Sequence, residues 1–279
     1  MSYPTTSSTG PIGIFDSGYG GLTILDAIQK RLPQYDYLYL GDNARTPYGT
    51  RSFDVVYQYT LESVKKLFEL NCQLIILACN TASAKALRTI QQHDLPQLDP
   101  YKRVLGVIRP TVEALGEMTR SKHVGIVGTT GTVQSQSYEI EVAKLFPDIT
   151  IVSEACPMWV PLVENGEHLS PGADYFVEKH LNKLFITDPD IDTLVLGCTH
   201  YPLLIEKIRK YTPSTASIVI QGPIIAERLE NYLKRHSNLE ERCSKNGTCH
   251  YLTTESVEKF ETSASIFINK NIKASHVIV

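Results

Sequence analysis

The chain has 279 residues, enough for two domains of ordinary size, and its 42% apolar and 20% charged residues exclude a disordered or fibrous protein. A formal net charge of -3, from 27 basic and 30 acidic residues interspersed along the chain, excludes the basic footprint of a nucleic-acid partner or of binding to an anionic membrane surface. The opening "MSYPTTSSTG" lacks the basic and then apolar order of an export signal, and no apolar run approaches the roughly 20 residues that span a bilayer, so a cytoplasmic protein with reduced thiols is expected.

In chain order, short β-rich runs at 11–15, 35–40, 73–78, 103–108, 123–128, 148–153, 193–197 and 217–220 alternate with stretches of helical periodicity. Most of the runs are apolar throughout, as in "QLIILA" (73–78) and "TLVLG" (193–197), which predicts strands covered on both faces and hence parallel sheets. Between them, "LTILDAIQKRL" (22–32) carries Leu22, Leu25, Ile28 and Leu32 on one helical face and stops before Pro33, and "DVVYQYTLESVKKLFEL" (54–70) repeats the stripe. A short amphipathic helix follows Pro202, a last one is expected over 255–268, and 235–247 reads as a long exposed connection. The predicted fold is α/β: two similar doubly wound, flavodoxin-like lobes of parallel sheet facing each other across a cleft, one from residue 1 to about 100 and one from 101 to about 210.

One phrase occurs twice. "LACNT" around Cys79 has its counterpart in "LGCTH" around Cys198, and upstream of each an apolar strand runs into a Gly-rich loop, "IGIFDSGYGG" (12–21) and "VGIVGTTGTV" (124–133). Free cysteine is ordinarily a buried small hydrophobe. Cys79 and Cys198, however, end strands beside Asn80 and Thr81 or Thr199 and His200, the polar surroundings in which reactive thiols are found. Open parallel sheets bind ligands at the C-terminal ends of their strands, so facing halves bring the two thiols to one ligand from opposite sides. Inversion of a stereocentre needs that symmetry: one group takes a proton from one face of a carbon and the other delivers a proton to the far face. A thiol, with an ordinary pKa of about 8.5, can do either.

In "DSGYGG", Gly18, Gly20 and Gly21 let backbone N–H groups approach an anion at a helix start, or form a tight turn capped by Asp16 or Ser17. The spacing is not that of the dinucleotide fingerprint, and no P-loop lysine follows. Asp16 is placed to polarise Cys79, and His200 to polarise Cys198. Asp42 and Glu164 are further carboxylate candidates, of which Glu164 is retained as catalytic. Tyr48 is a turn residue or a hydroxyl donor to a carboxylate. Cys72 and Cys156 fit structural roles. Cys243, Cys249 and His250, spaced C-x5-C-H, lack a second ligand pair, and neither a metal nor a cofactor is assigned.

Seven phrases in order, "GIFDSGYGGL" (13–22), "YLGDNARTPYGTRS" (39–52), "LACNTASA" (77–84), "GVIRP" (106–110), "GTTGT" (128–132), "ACPMWVPLVENG" (155–166) and "LGCTHYPLL" (196–204), resemble the bacterial glutamate racemases, cofactor-independent amino-acid racemases. The resemblance implies that Cys79 and Cys198 are the paired acid/bases. It implies that Asp16, Ser17, Tyr48, Gly49, Asn80, Thr81, Thr199 and His200 contact the substrate or tune the thiols, supported by Thr129 and Thr132, and that residues 211–279 return to complete the first lobe. The substrate implied is glutamate, and the role implied is supply of D-glutamate for peptidoglycan; a homodimer is left open. Where the family usually carries an acidic residue and a glycine, this chain has Arg109 and Thr111. Three alternatives stand beside this reading. An aspartate racemase of the same family is opposed by "CTH" and "DSGYGG". An amidase with one nucleophilic cysteine and His200 as base has no use for the second thiol. A non-catalytic two-lobed binding protein has a use for neither.

Overall fold

The computed structural model describes residues 9–279, so the stretch 1–8, read above against an export signal, lies outside the described residues. All eight expected runs form strands, within two residues at either end. The strands β1 (Ile12–Asp16), β2 (Tyr37–Gly41), β3 (Leu74–Leu77) and β4 (Arg103–Gly106) lie in the order β2-β1-β3-β4, every pair parallel. The strands β5 (His123–Gly128), β6 (Thr150–Ala155), β7 (Thr193–Gly197) and β8 (Ser217–Val219) follow as β6-β5-β7-β8, again all parallel. The second unit thus repeats the first strand for strand. The chain then returns to the first sheet, laying β9 (Cys249–Thr253) beside β2 and β10 (Ala274–His276) beside β9.

The changes of sheet come later than residues 100 and 210. Strand β4 pairs with β3 and β8 with β7, because each doubly wound unit is completed by a fourth strand before the chain crosses over. The segment 235–247 is largely exposed, as its polar composition suggests, but it is anchored at two points. It contains the short helix Ser237–Glu240, buries Leu239 and Cys243, and bridges through Cys243 to Gly10.

Both faces of both sheets are covered, as the unbroken apolar runs require. On one face of the first sheet, Ile12, Ile14 and Ile76 pack against Leu22, Leu25 and Ile28 of the helix Gly21–Arg31 and against Ile225 and Leu229 of the helix Gln221–Arg235. On the other, Phe15 and Leu77 meet Val56, Val64 and Leu67 of the helix Phe53–Glu69. In the second sheet, Leu194 and Leu196 lie under Val177, Leu181 and Leu184, and Ile126 and Val195 under Val112 and Leu115. Each such side chain contributes roughly 1.5–3 kcal/mol by leaving water. Among the described residues no helix is long and apolar enough to cross a membrane.

The returning segment is tied down by one carboxylate. Asp36, just before β2, accepts from the N–H and side-chain amide of Asn246 (3.2 and 2.6 Å) and from the N–H and hydroxyl of Thr248 (2.9 and 2.6 Å). Burial alone would raise its pKa, but hydrogen bonds from Ser244, Thr248 and Asn246 hold it well below the usual carboxylate range. A carboxyl depressed in the folded chain stabilises the fold above its ordinary pKa of about 3.9, and that contribution is lost as the pH falls below it. Asp36→Asn should therefore cost about 1–3 kcal/mol at neutral pH and flatten the fall of stability below about pH 4, as read by urea unfolding across pH. A parent-like acid limb in the variant would show that Asp36 does not carry it.

Candidate active site

The duplicated unit puts two sulfurs at equivalent places. Cys79 lies two residues beyond β3 and caps the helix Asn80–Lys85, its sulfur accepting from the Ala82 N–H at 3.5 Å. Cys198 directly follows β7. Strand β3 runs beside β1 and β7 beside β5, so each thiol stands next to the Gly-rich loop leaving the adjacent strand, at the point where the strand order reverses. Both sulfurs belong to the wall of one cavity of about 80 Å³, together with Ser17, Tyr48, Gly49, Asn80, Thr81, Thr129, Thr199 and His200. Asp16, Thr132 and Glu164, also expected at the site, stand one layer behind: Asp16 under Thr199, Thr132 under Thr81 and Thr129, and Glu164 behind His200.

The electrostatics of the two sides differ. Cys79 Sγ lies 3.4 Å from Ser17 Oγ. Burial first, and the Asp16 carboxylate second, push its thiol up to about 12, against the hydrogen bonds from Ser17 and Ala82. Cys79 therefore holds its proton at neutral pH. Asp16 is wholly buried; burial pushes its carboxyl up, while His200 and the N–H groups of Gly18 and Gly21 oppose the rise. The Gly18 N–H donates to Asp16 Oδ2 at 3.0 Å, so that amide serves Asp16 rather than an anion in the cavity.

On the other side, Cys198 Sγ lies 3.9 Å from His200 Nδ1, and His200 Nε2 lies 3.0 Å from Glu164 Oε1. Burial by itself would lower the imidazole's pKa, yet hydrogen bonds to Cys198 and Glu164 raise it to about 10. His200 is thus a buried imidazolium at neutral pH, with Phe267 of the C-terminal helix Val257–Ile268 edge-on to its ring at 5.3 Å between centroids.

The seam between the lobes is polar. Thr81 Oγ1 meets Thr129 Oγ1 at 2.9 Å, and the Gly131 N–H donates to the Gly49 carbonyl at 2.8 Å. The Tyr48 hydroxyl donates to Asp42, which also takes Arg45 Nε at 2.7 Å and the Thr254 hydroxyl at 2.9 Å. Asp42, a secondary candidate, therefore orients Tyr48. Sequence reasoning missed part of the wall: Pro47, which follows a cis peptide, and Pro157, Val160 and Pro161. Their phrases were visible, but apolar residues carry no chemistry that singles them out.

Other sites lie apart. A larger cavity of about 650 Å³ is lined by Arg88, Arg109 and Glu141 among others and holds neither thiol. Arg109, which departs from the family pattern, pairs there with Glu113 at 3.0 Å and Glu141 at 3.5 Å. Among the described residues, His123, Asp188 and Asp190 could together ligate a metal ion, but His123 begins β5, at the end of the sheet opposite the thiols. Cys243 donates to the Leu239 carbonyl and Cys249 begins β9.

The chain is similar over most of its length to proteins of one family. The family model described as Asp/Glu/Hydantoin racemase matches residues 22–226. A glutamate racemase of Ruegeria sp. (strain TM1040) is 37% identical over 271 residues, 94% of this chain and 97% of the relative. A glutamate racemase isoform from Bacillus anthracis superposes with a TM-score of 0.87 at 33% identity, covering 97% of this chain and 98% of that one. The Francisella tularensis glutamate racemase, solved in complex with D-glutamate, gives 0.85 at 30% identity over 97% of both chains. With nearly three quarters of its length inside the family model and nearly all of it aligned to these relatives, the chain belongs to the glutamate racemase family, isomerases that racemise an amino acid.

Proposed function

We propose that Cys79 and Cys198 interconvert L- and D-glutamate by acting on opposite faces of the α-carbon. The observation that carries this is the convergence of two thiols, from equivalent strand ends of two repeated units, on one cavity. At rest the two are unlike. Cys79 holds its proton and is the donor. Cys198, beside the His200 imidazolium, is the acceptor. After one turnover the protons have changed places, and the reverse reaction starts from that state. Ser17, Asn80, Thr81 and Thr199, all on the cavity wall, supply the hydroxyl and amide donors that stabilise the charge left when the α-proton departs.

Glutamate, rather than aspartate, is supported by the relatives, which carry the glutamate racemase name over nearly the full chain. The reading places the enzyme in the cytoplasm, supplying D-glutamate for peptidoglycan. All six cysteines are free thiols, as that compartment favours.

Polarimetry with each enantiomer of glutamate and aspartate tests the substrate: turnover of aspartate alone would overturn it. In D2O, early product should carry deuterium at the α-carbon, because the donating thiol has exchanged with solvent. Substantial retained protium would mean one base serves both faces. Cys79→Ser and Cys198→Ser should each lower turnover roughly 10²-fold or more, whereas Cys72→Ser and Cys243→Ser should alter stability alone.

The charge on His200 gives a separate test. Its imidazole is raised from an ordinary pKa of about 6.5 to about 10 in the folded chain. Its protonation therefore stabilises the fold fully below about pH 6.5, and that stabilisation fades as the pH rises through about 10. Glu164→Gln removes one support of the proton, so the thermal midpoint should begin its alkaline fall at lower pH. An alkaline limb identical to the parent's would remove Glu164 from that role.

A further inference from the structure

Behind Cys79 lies a closed set of buried hydrogen bonds in which the racemase reading gives a part to Asn80 alone. Gln221, the first residue of the helix that follows β8, donates through Nε2 to the Thr111 hydroxyl at 2.8 Å and to the Tyr138 hydroxyl at 2.9 Å. Its Oε1 accepts from Asn80 Nδ2 at 2.6 Å, and the Tyr138 hydroxyl donates to Asn80 Oδ1 at 2.7 Å. Thr111 in turn donates to the Val107 carbonyl at 2.7 Å. None of the four side chains is more than 3% exposed.

Their positions in the chain give the set its meaning. Thr111 lies on the helix Ile108–Met118, just past the outward crossing between sheets, and Gln221 lies at the return crossing. Tyr138 belongs to the second lobe, on the helix Ser137–Leu145, and Asn80 adjoins Cys79 in the first. We propose that Gln221 and Tyr138 are positioning residues: they lock the Asn80 amide, and with it the Cys79–Asn80 turn, to both chain crossings between the lobes. The donor directions are mutually determined. Tyr138 accepts from Gln221 and so must give its proton to Asn80 Oδ1, which fixes the amide's orientation; the second hydrogen of Asn80 Nδ2 is left for the cavity that Asn80 lines. A fully satisfied buried network rigidifies what it holds, and losing one member leaves its partners unpaired in a low-dielectric interior.

The catalytic half of this inference rests on the racemase reading; the positional half does not, and two measurements separate them. The first is site-resolved alkylation by iodoacetamide, read by mass spectrometry, which needs no turnover. Tyr138→Phe, and independently Gln221→Met, should speed alkylation of Cys79 roughly fivefold or more while Cys72, Cys156 and Cys243, all buried, keep the parent's rates. General loosening of the fold would speed all four together. The second is racemisation of glutamate: kcat/KM should fall about tenfold in Tyr138→Phe, and the fall should vanish when Tyr138→Phe is added to Asn80→Ala, since coupled residues are non-additive. Equal acceleration of every thiol, or an unchanged Cys79 rate in both variants, would overturn the proposal. Should the parent protein not racemise glutamate while labelling remains selective for Cys79, the racemase reading fails and the positioning stands.

Discussion

The site depends on charges that cannot be sustained singly. His200 is 4% exposed, and the cost of taking its charge out of water is several kcal/mol. Opposite charges about 4 Å apart return about 4 kcal/mol at an effective dielectric of 20, against about 1 in bulk water. The contact of His200 with Glu164, at 3.0 Å, therefore offsets much of the cost of the buried charge. Glu164 and Cys198 flank the imidazolium, and Asp16 lies behind Thr199. Burial and then Asp16 keep the proton on Cys79, while Cys198 lies beside the imidazolium.

That arrangement needs two sheet ends pointing at one another, and the chain supplies them by repeating a unit. Much of this was legible. Apolar runs without alternation announced strands covered on both faces, and the recurrence of a Gly-rich loop and of a strand-ending cysteine announced two units before any contact was known. The rest was illegible for physical reasons. Strand β9, "CHYLT", is half polar because it joins the first sheet outside β2, and β10 has three residues, two of them exposed; neither has an apolar run to give it away. The fourth strand of each unit was visible, but no local feature says which sheet a strand will join. Gln221 and Tyr138 left no trace, since a buried amide and phenol look like any surface Gln or Tyr until the residues 141 and 58 positions away are brought against them.

The seam between the lobes is built unlike either lobe. Within each, the elements are held by interlocking apolar side chains. Between them, near the thiols, the contacts are hydroxyl to hydroxyl, amide to carbonyl and hydroxyl to carboxylate. Such contacts are directional, with narrow tolerance in length and angle, so they set position more finely than apolar packing does. Each is also individually modest, about 1 kcal/mol net. The lobes are thus registered against each other by many small directional contacts, while their stability is supplied inside them.

Gly20 gives that registration a physical limit. A β-carbon built at this position would lie 2.2 Å from Thr199 Oγ1 and 2.5 Å from His200 Nδ1, inside the 3.0 Å that real β-carbons essentially never breach. Its backbone is ordinary right-handed helical, with φ -59° and ψ -33°, so the glycine is there for thickness and not for conformation. The bare peptide acts as a spacer gauge: the turn that carries Cys198 rests directly on the main chain of the opposite lobe. The separation of the two lobes at this contact is therefore set by the width of a bare backbone.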